Sequence, residues 1–428
     1  MSPNSTIAIP NLHRLVLDNG ITLIIVENQA ADIISGRFFL KGAGTIVEPS
    51  NRAGLAHLVS AVITKGTEKL SALDIAEKIE SIGAGLGADA SSDYFALSLK
   101  TVSADFPIML ELLGEIMRSP VFPEAEVELE RKLTLQGIKS QKEQPFNVAF
   151  NQLRQQMYPN HPYGISVLGT ETSVATLTRE DLLQYHQTYF RPDKLVISLS
   201  GRITREQGIK LISDVFGDWQ KPEQPLPDSA LISLTVNPSE AEILQDTQQS
   251  IVMLGYIGSK VNLEDYPVLK LISTYLGSGL SSRLFVELRE KRGLAYDVSA
   301  FFPTRLNTSP FITYMGTAPK NTETAIEGLS TEVERLTKET LDDEELQGAK
   351  NKLLGQYALG KQTNGEIAQT YGWYETLGMG VEFDRTFQDA IPPITAKRVQ
   401  EVAQKYLSQP YISIVKPGNS EQSVISNQ

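Results

Sequence analysis

Residues 54–67 read GLAHLVSAVITKGT, a pattern that predicts an amphipathic helix. Leu55, Leu58 and Val62 fall at i, i+3 and i+7 and stack on one face. His57 and Ala61 lie four apart on a neighbouring face, with Ser60 beside them. The stretch just before, GRFFLKGAG (36–44), has the length and apolar content of a strand. The same order returns in the second half of the chain, where QQSIVMLGYIG (248–258) precedes EDYPVLKLISTYLG (264–277).

Further outward, the two halves continue to answer each other. SADFPIMLELLGEIMRSPVFPEAEVELERKLTLQGI (103–138) matches KNTETAIEGLSTEVERLTKETLDDEELQGAKNKLLGQY (320–357) in element order and spacing. In the first half, RLVL and ITLIIV flank Asp18-Asn19-Gly20, a hairpin signal because Asn-Gly supplies the positive φ of a tight turn. SALDIAEKIESIG (71–83) reads as a helix with Ser71 as cap and Gly83 as stop. DYFALSLKTV and KLVISLSGRI read as strands, and helices are expected from about Ala104 to Arg118, from about Glu124 to Lys142, and over TREQGIKLISDVFGDW.

Gln220 to Pro227 is polar with three prolines in six residues and is the expected linker. Strands and helices come in clusters without strict alternation, which favours α+β over a doubly wound fold. The expected architecture is two homologous α+β domains, residues 1–220 and 228–428, each a mostly antiparallel sheet with helices on one face.

Composition bounds the function. A chain of 428 residues is too long for one core. A net charge of -12 argues against non-specific nucleic-acid binding and against docking on an anionic membrane. It also leads us to expect a preference for basic peptides over acidic ones. The absence of cysteine excludes disulfides and zinc–thiolate sites. No run approaches the roughly 20 apolar residues of a membrane span, and no secretory signal pattern is visible, so a cytoplasmic location is expected.

LDNG (17–20), GLAHLVSAVITKGT (54–67), ELERKLTLQGI (128–138), HPYGISVLGT (161–170), HQTYFRPDKLVISLSG (186–201) and GSGLSSRLFVELREKRGLAYDVSAF (277–301) together resemble the M16 (pitrilysin-like) metallopeptidase family. The likeness is to its short two-domain members and to subunits of mitochondrial processing peptidase. It implies two homologous domains forming half of a clam-like chamber. Active members hold zinc through HxxEH and a distant glutamate, leaving one position open for a water whose pKa the metal lowers.

Carried over position by position, the resemblance matches the first histidine to His57, the glutamate to Ser60, the second histidine to Ala61 and the distant glutamate to Gly137. One imidazole cannot hold zinc without partners, and a serine hydroxyl does not titrate near neutrality. No zinc is therefore expected in this chain. A serine-hydrolase reading of Ser60 fails too, because no GxSxG pattern surrounds it. His13, His161 and His186 are scattered along the chain.

In the second half, GLSSRLFVELREKR is expected to be a helix ending at Gly293, followed by the strand LAYDVSAFF. The resemblance matches Arg289 and Tyr296 to an arginine–tyrosine pair that, in short M16-like heterodimers, faces the zinc site of the other subunit. Such donors stabilise the oxygen on which charge develops during peptide cleavage. Gly277 and Gly279 resemble part of a glycine-containing substrate loop. The competing reading makes Arg289 one solvated charge of LREKR and Tyr296 a core residue. The implied function is a catalytically incomplete subunit that pairs with an HxxEH-bearing zinc chain to degrade or process peptides, or self-associates without it. The alternative is a non-catalytic peptide-binding or scaffold protein of the same fold.

Overall fold

The structure, a computed structural model, describes residues 11–227, 234–262 and 264–418. It contains two sheets. The first is built from β1 (Leu12–Val16), β2 (Thr22–Glu27), β3 (Ile33–Lys41), β4 (Gly85–Ala90), β5 (Tyr94–Val102) and β6 (Leu195–Gly201), in the order β1-β2-β6-β3-β5-β4. The second is built from β7 (Glu240–Gln245), β8 (Ser250–Ile257), β9 (Ala295–Phe301), β10 (Pro310–Thr317) and β11 (Tyr411–Pro417), in the order β7-β11-β8-β10-β9. Apart from the added β1, the topologies are the same. Each sheet has a single parallel pair at the same place, β2–β6 and β7–β11, and every other pair is antiparallel. The repeat read from the sequence is therefore a repeat of fold.

The expected local signals are used. Gly20 takes φ +93° in the β1–β2 hairpin. Ser71 caps the helix Ala72–Glu80 in a capping box with Asp74, and Gly83 takes φ +63° beyond it. The helices Phe106–Arg118 and Glu124–Glu143 follow β5, as Thr322–Lys338 and Asp343–Leu359 follow β10. The expected linker carries neither helix nor strand. Its first part is held by buried Arg191, whose guanidinium donates to the carbonyls of Gln224 (2.8 Å) and Pro222 (3.4 Å).

Two helices cross the linear division at 220–228. The described residues of Met1–Ile138, Ile165–Leu231 and Ala358–Thr386 make one compact unit, and those of Lys139–Gly164, Ile232–Tyr357 and Phe387–Gln428 make the other. The helix Asn364–Thr376 lies on β3 and β6 of the first sheet, and the helix Pro145–Met157 lies on β8 and β11 of the second. Each sheet is thus covered by several helices on one face and by a single helix on the other. On the single-helix face of the first sheet, Ile24, Phe39, Ala96 and Val196 pack with Tyr371 and Val381. Coverage of both faces explains why β6 is buried at every position and β8 at all but its last.

Close approach makes these contacts. A β-carbon on Gly372 would lie 2.4 Å from the Phe39 ring and 2.9 Å from Ser198 Cβ. In the other unit a β-carbon on Gly255 would lie 2.5 Å from Met157 Sδ and 3.0 Å from Leu153. Phe39 is buried and rigid, whereas Met157 is flexible. Gly372→Ala is therefore expected to lower stability by about 1–3 kcal/mol through overpacking, and Gly255→Ala by less, in urea titrations of the two variants.

Candidate functional site

The 54–67 segment forms the helix Leu55–Val62, with Leu55, Leu58, Val59 and Val62 in the main core of its unit. Its start is organised by a residue that sequence reasoning missed. Gly54, at φ +93°, precedes the helix, and the buried Glu48 carboxylate accepts from the amides of Gly54 (2.9 Å) and Ala56 (2.5 Å). An anion at a helix N-terminus is well placed. Burial nevertheless pushes Glu48 up to about 7, against the pull of these two hydrogen bonds.

His57 is half-buried on this helix. Burial holds its imidazole below the ordinary value, opposed by the carboxylates of Asp89 on β4 and Glu130. Glu130 is paired with Lys65 at 3.5 Å. Ser60 Oγ donates to the His57 carbonyl at 2.7 Å, so the hydroxyl is engaged with its own helix. Ala61 is partly buried against the core. Gly137 lies on the helix Glu124–Glu143, where a β-carbon would meet only Leu168 Cδ1 at 3.8 Å. The position has room for a side chain and carries none. These residues do not fit a zinc site of the HxxEH type. Among the described residues, no three His, Asp or Glu side chains form a cluster able to hold a metal.

The other site residues lie in the second unit, on two local departures from regular backbone. Phe285–Lys291 is a seven-residue π-helical turn in place of the expected α-helix. π-Bulges within helices often mark functional positions. Gly293, at φ +61°, ends the turn, where the Leu294 amide donates to the Leu288 carbonyl at 2.9 Å. Within LREKR, Lys291 is tied to Glu287 at 2.8 Å. Arg289 instead stays exposed, its guanidinium 4.9 Å from the centre of the Phe285 ring, and no carboxylate pairs with it among the described residues.

The turn packs on β9, the edge strand of the second sheet. Thr317 of β10 pairs with Ala295 and Gly316 with Asp297, so Tyr296 is the extra residue of a β-bulge. Bulges re-aim side chains. Tyr296 is 61% exposed, which rules out a core role. The resemblance pointed to Arg289 and Tyr296, and both are exposed, while the π turn and the bulge that present them came only with the structure.

The two glycines of the expected substrate loop differ. Gly277 is buried at the end of the helix Tyr266–Gly277, where a β-carbon would collide with the Ala300 backbone, so packing against β9 accounts for its glycine. Gly279 is exposed at φ +73°, beside Leu280, which is 74% exposed.

Two family models match this chain, one described as insulinase (peptidase family M16) over residues 25–171 and one described as the peptidase M16 inactive domain over residues 176–353. The chain belongs to the M16 peptidase family. Its relatives include the uncharacterized zinc protease YmxG of Bacillus subtilis, 24% identical over 96% of this chain and 99% of the relative. An uncharacterized zinc protease of Streptomyces coelicolor is 26% identical over 97% and 92%. Among solved structures, the peptidase M16 inactive domain from Pseudomonas fluorescens superposes with a TM-score of 0.87 at 25% identity, covering 95% of this chain and 98% of that one. A protease from Helicobacter pylori shares the M16 fold with a TM-score of 0.91 at 21% identity, covering 96% and 100%. Among the described residues, no helix is long and apolar enough to cross a membrane.

Because Glu48 binds its proton more tightly in the folded chain than its ordinary value of 4.5 allows, its contribution to stability is fullest below about 4.5 and falls as pH rises through about 7. Denaturant titrations between these limits should show wild type losing stability with rising pH relative to Glu48→Gln. Parallel pH profiles for the two proteins would contradict this assignment.

Proposed function

We propose that this M16 chain is the non-zinc subunit of a two-chain peptidase, pairing with an M16 chain that carries an intact HxxEH. The observation that carries this reading is the exposed Arg289–Tyr296 pair, presented by a π turn and a bulge, in a chain whose own helix bears His57 without the other ligands. The zinc chemistry would be the partner's. The chain's own residues act on the peptide carbonyl. Arg289 offers a planar, permanently charged fork and Tyr296 a single neutral O–H, both aimed at solvent.

As negative charge develops on the carbonyl oxygen, these donors strengthen their hold, which lowers the barrier without tightening ground-state binding. The stacking of Arg289 on Phe285 limits the positions of its guanidinium and reduces the reorganisation needed at that moment. Gly279, in its exposed turn, is the neighbouring element proposed to touch substrate. The names of the relatives, uncharacterized zinc proteases, support peptides as the substrate class.

The test is reconstitution with an HxxEH-bearing M16 chain from the same source. The isolated chain should show no zinc-dependent cleavage. In the complex, Arg289→Ala and Tyr296→Phe should each lower kcat about a hundredfold or more with little change in KM. Unchanged turnover in both variants would leave a non-catalytic peptide-binding or scaffold role.

A further inference from the structure

The two covering helices provide an internal comparison. Pro145–Met157 and Asn364–Thr376 are both 13 residues long and lie on equivalent strands. Aligned end to end, Gly365 stands where Phe146 does, Gln369 where Phe150 does, and Gly372 where Leu153 does. The strands agree, because Phe39 under Gly372 answers Gly255 under Leu153. Two residues back along each strand, Arg37 stands where Met253 does. Arg37 pairs with Ser98 and Ser198, and Met253 with Tyr314 and Ser413.

In the second unit the space beneath the start of the helix is filled by aromatic rings. Phe146 meets Tyr314 edge-on at 5.0 Å, and Phe150 packs against Phe301 at 6.0 Å. In the first unit, glycine and glutamine occupy the matching helix positions and leave a cavity of about 620 Å³. Ser35, Arg37 and Lys100 line it together with Gly365, Glu366 and Gln369. A smaller cavity of about 230 Å³ shares Arg37 and Gln369 and runs on to the edge strand β4.

Two polar groups of the larger cavity lack partners, while Asn28 and Asn364 in the same lining bond each other at 2.7 Å. Ser35 is 3% exposed, and neither its Oγ nor Arg37 Nε has a hydrogen-bond partner. The register places Lys100 opposite Ser35, with Arg37 two residues along on the same face. Neither cation pairs with a carboxylate among the described residues. By contrast, Arg14 and Lys41, at the other end of this face, share Glu375 at 2.8 and 3.7 Å.

The helix N-terminus adds to this. Its capping box engages the Thr363 and Glu366 amides and leaves those of Asn364 and Gly365 without an acceptor among the described residues. The one acidic group in the lining of the larger cavity, Glu366, gives one oxygen, Oε2, to that box, accepting from the Thr363 amide and hydroxyl and the Gln362 amide.

We propose that this cavity binds a carboxylate of a peptide, held by the Arg37 fork with Lys100, Ser35 and the open turn of the Asn364–Thr376 helix. The cavity has the size of a ligand pocket, and its extension toward β4 gives the rest of an extended chain a path. The inference rests on the reading of the chain as a handler of peptides and assigns it a substrate feature opposite to the one its net charge suggests. A chain of charge -12 here selects for an anionic group, because Arg37 and Lys100 line the cavity, set against Glu366 in the same lining and Asp89 in its extension.

The test uses the full isolated chain and fluorescence anisotropy with a short fluorescein-labelled alanine–glycine peptide. The peptide is used as the free acid, as its C-terminal amide, and as amides carrying one internal Glu or one internal Gln. Wild type should bind at least one carboxylate form about tenfold or more tightly than its neutral counterpart. The free-acid arm identifies the chain terminus as the source, and the Glu arm an acidic side chain.

Arg37→Met, which copies the other repeat, exposed Lys100→Met, and the filled variant Gly365→Phe/Gln369→Phe should each abolish the preference. Equal binding of acid and neutral forms by wild type would overturn the proposal, as would a preference that survives in folded Lys100→Met. No partner subunit is needed. A carboxylate preference in a chain whose Arg289 and Tyr296 variants leave turnover intact would keep this site and reject the split-peptidase reading.

Discussion

The structure depends on covering the second face of each sheet. A sheet whose strands are apolar on both sides cannot leave one side in water, and each face here receives a single helix from the other half of the sequence. The contact is close because glycine permits it, through Gly372 on the helix in one unit and Gly255 on the strand in the other. Phe39, Ile24, Val196 and Ala96 are buried by that approach and not by the main core. Both faces of each sheet are thereby covered by helices, and β4 and β9 are left as edge strands.

The same scaffold treats its two halves differently. In the first unit the helix after β3 is regular and well supported, with Glu48 across its N-terminus and five apolar residues in the core. What it lacks is chemistry, since Ser60 bonds its own backbone and Ala61 and Gly137 offer no donor atoms. In the second unit the backbone is irregular at the residues of interest. A π turn and a bulge both forfeit ideal hydrogen bonding, and their occurrence on either side of Gly293 presents Arg289 and Tyr296 to solvent.

Charge pairing draws a second distinction. Most cations at the sheet faces and helix ends have a carboxylate within reach, as Arg14 and Lys41 do in Glu375, whose carboxyl would be raised by burial but is held below its ordinary value by Arg14 and Lys41. Arg37, Lys100 and Arg289 form no direct ion pair among the described residues, although the Asp89 carboxylate acts on Arg37 from the shared cavity. Burial lowers the pKa of the half-buried Arg37 guanidinium, and Tyr94 and Asp89 oppose the shift only in part. Unpaired cations in an acidic chain mark where an anion or a polarised oxygen is expected to arrive.

The sequence by itself determined the local elements and the repeat, and pointed to Arg289 and Tyr296 as positions to inspect. The local elements are set by near neighbours: apolar spacing for the helix at Leu55–Val62, capping chemistry at Ser71 and the Asn-Gly turn. The tertiary structure alone decided which helix covers which sheet, because that depends on shape complementarity between segments far apart in the chain, where Gly372 and Phe39 carry no mutual sequence signal. It also decided that Tyr296 faces solvent, since a bulge is a property of two paired strands and not of one. The cavity at Arg37 was illegible for the same reason. It exists because Gly365 and Gln369 stand where another helix has two phenylalanines, and only the packed repeat sets those positions side by side.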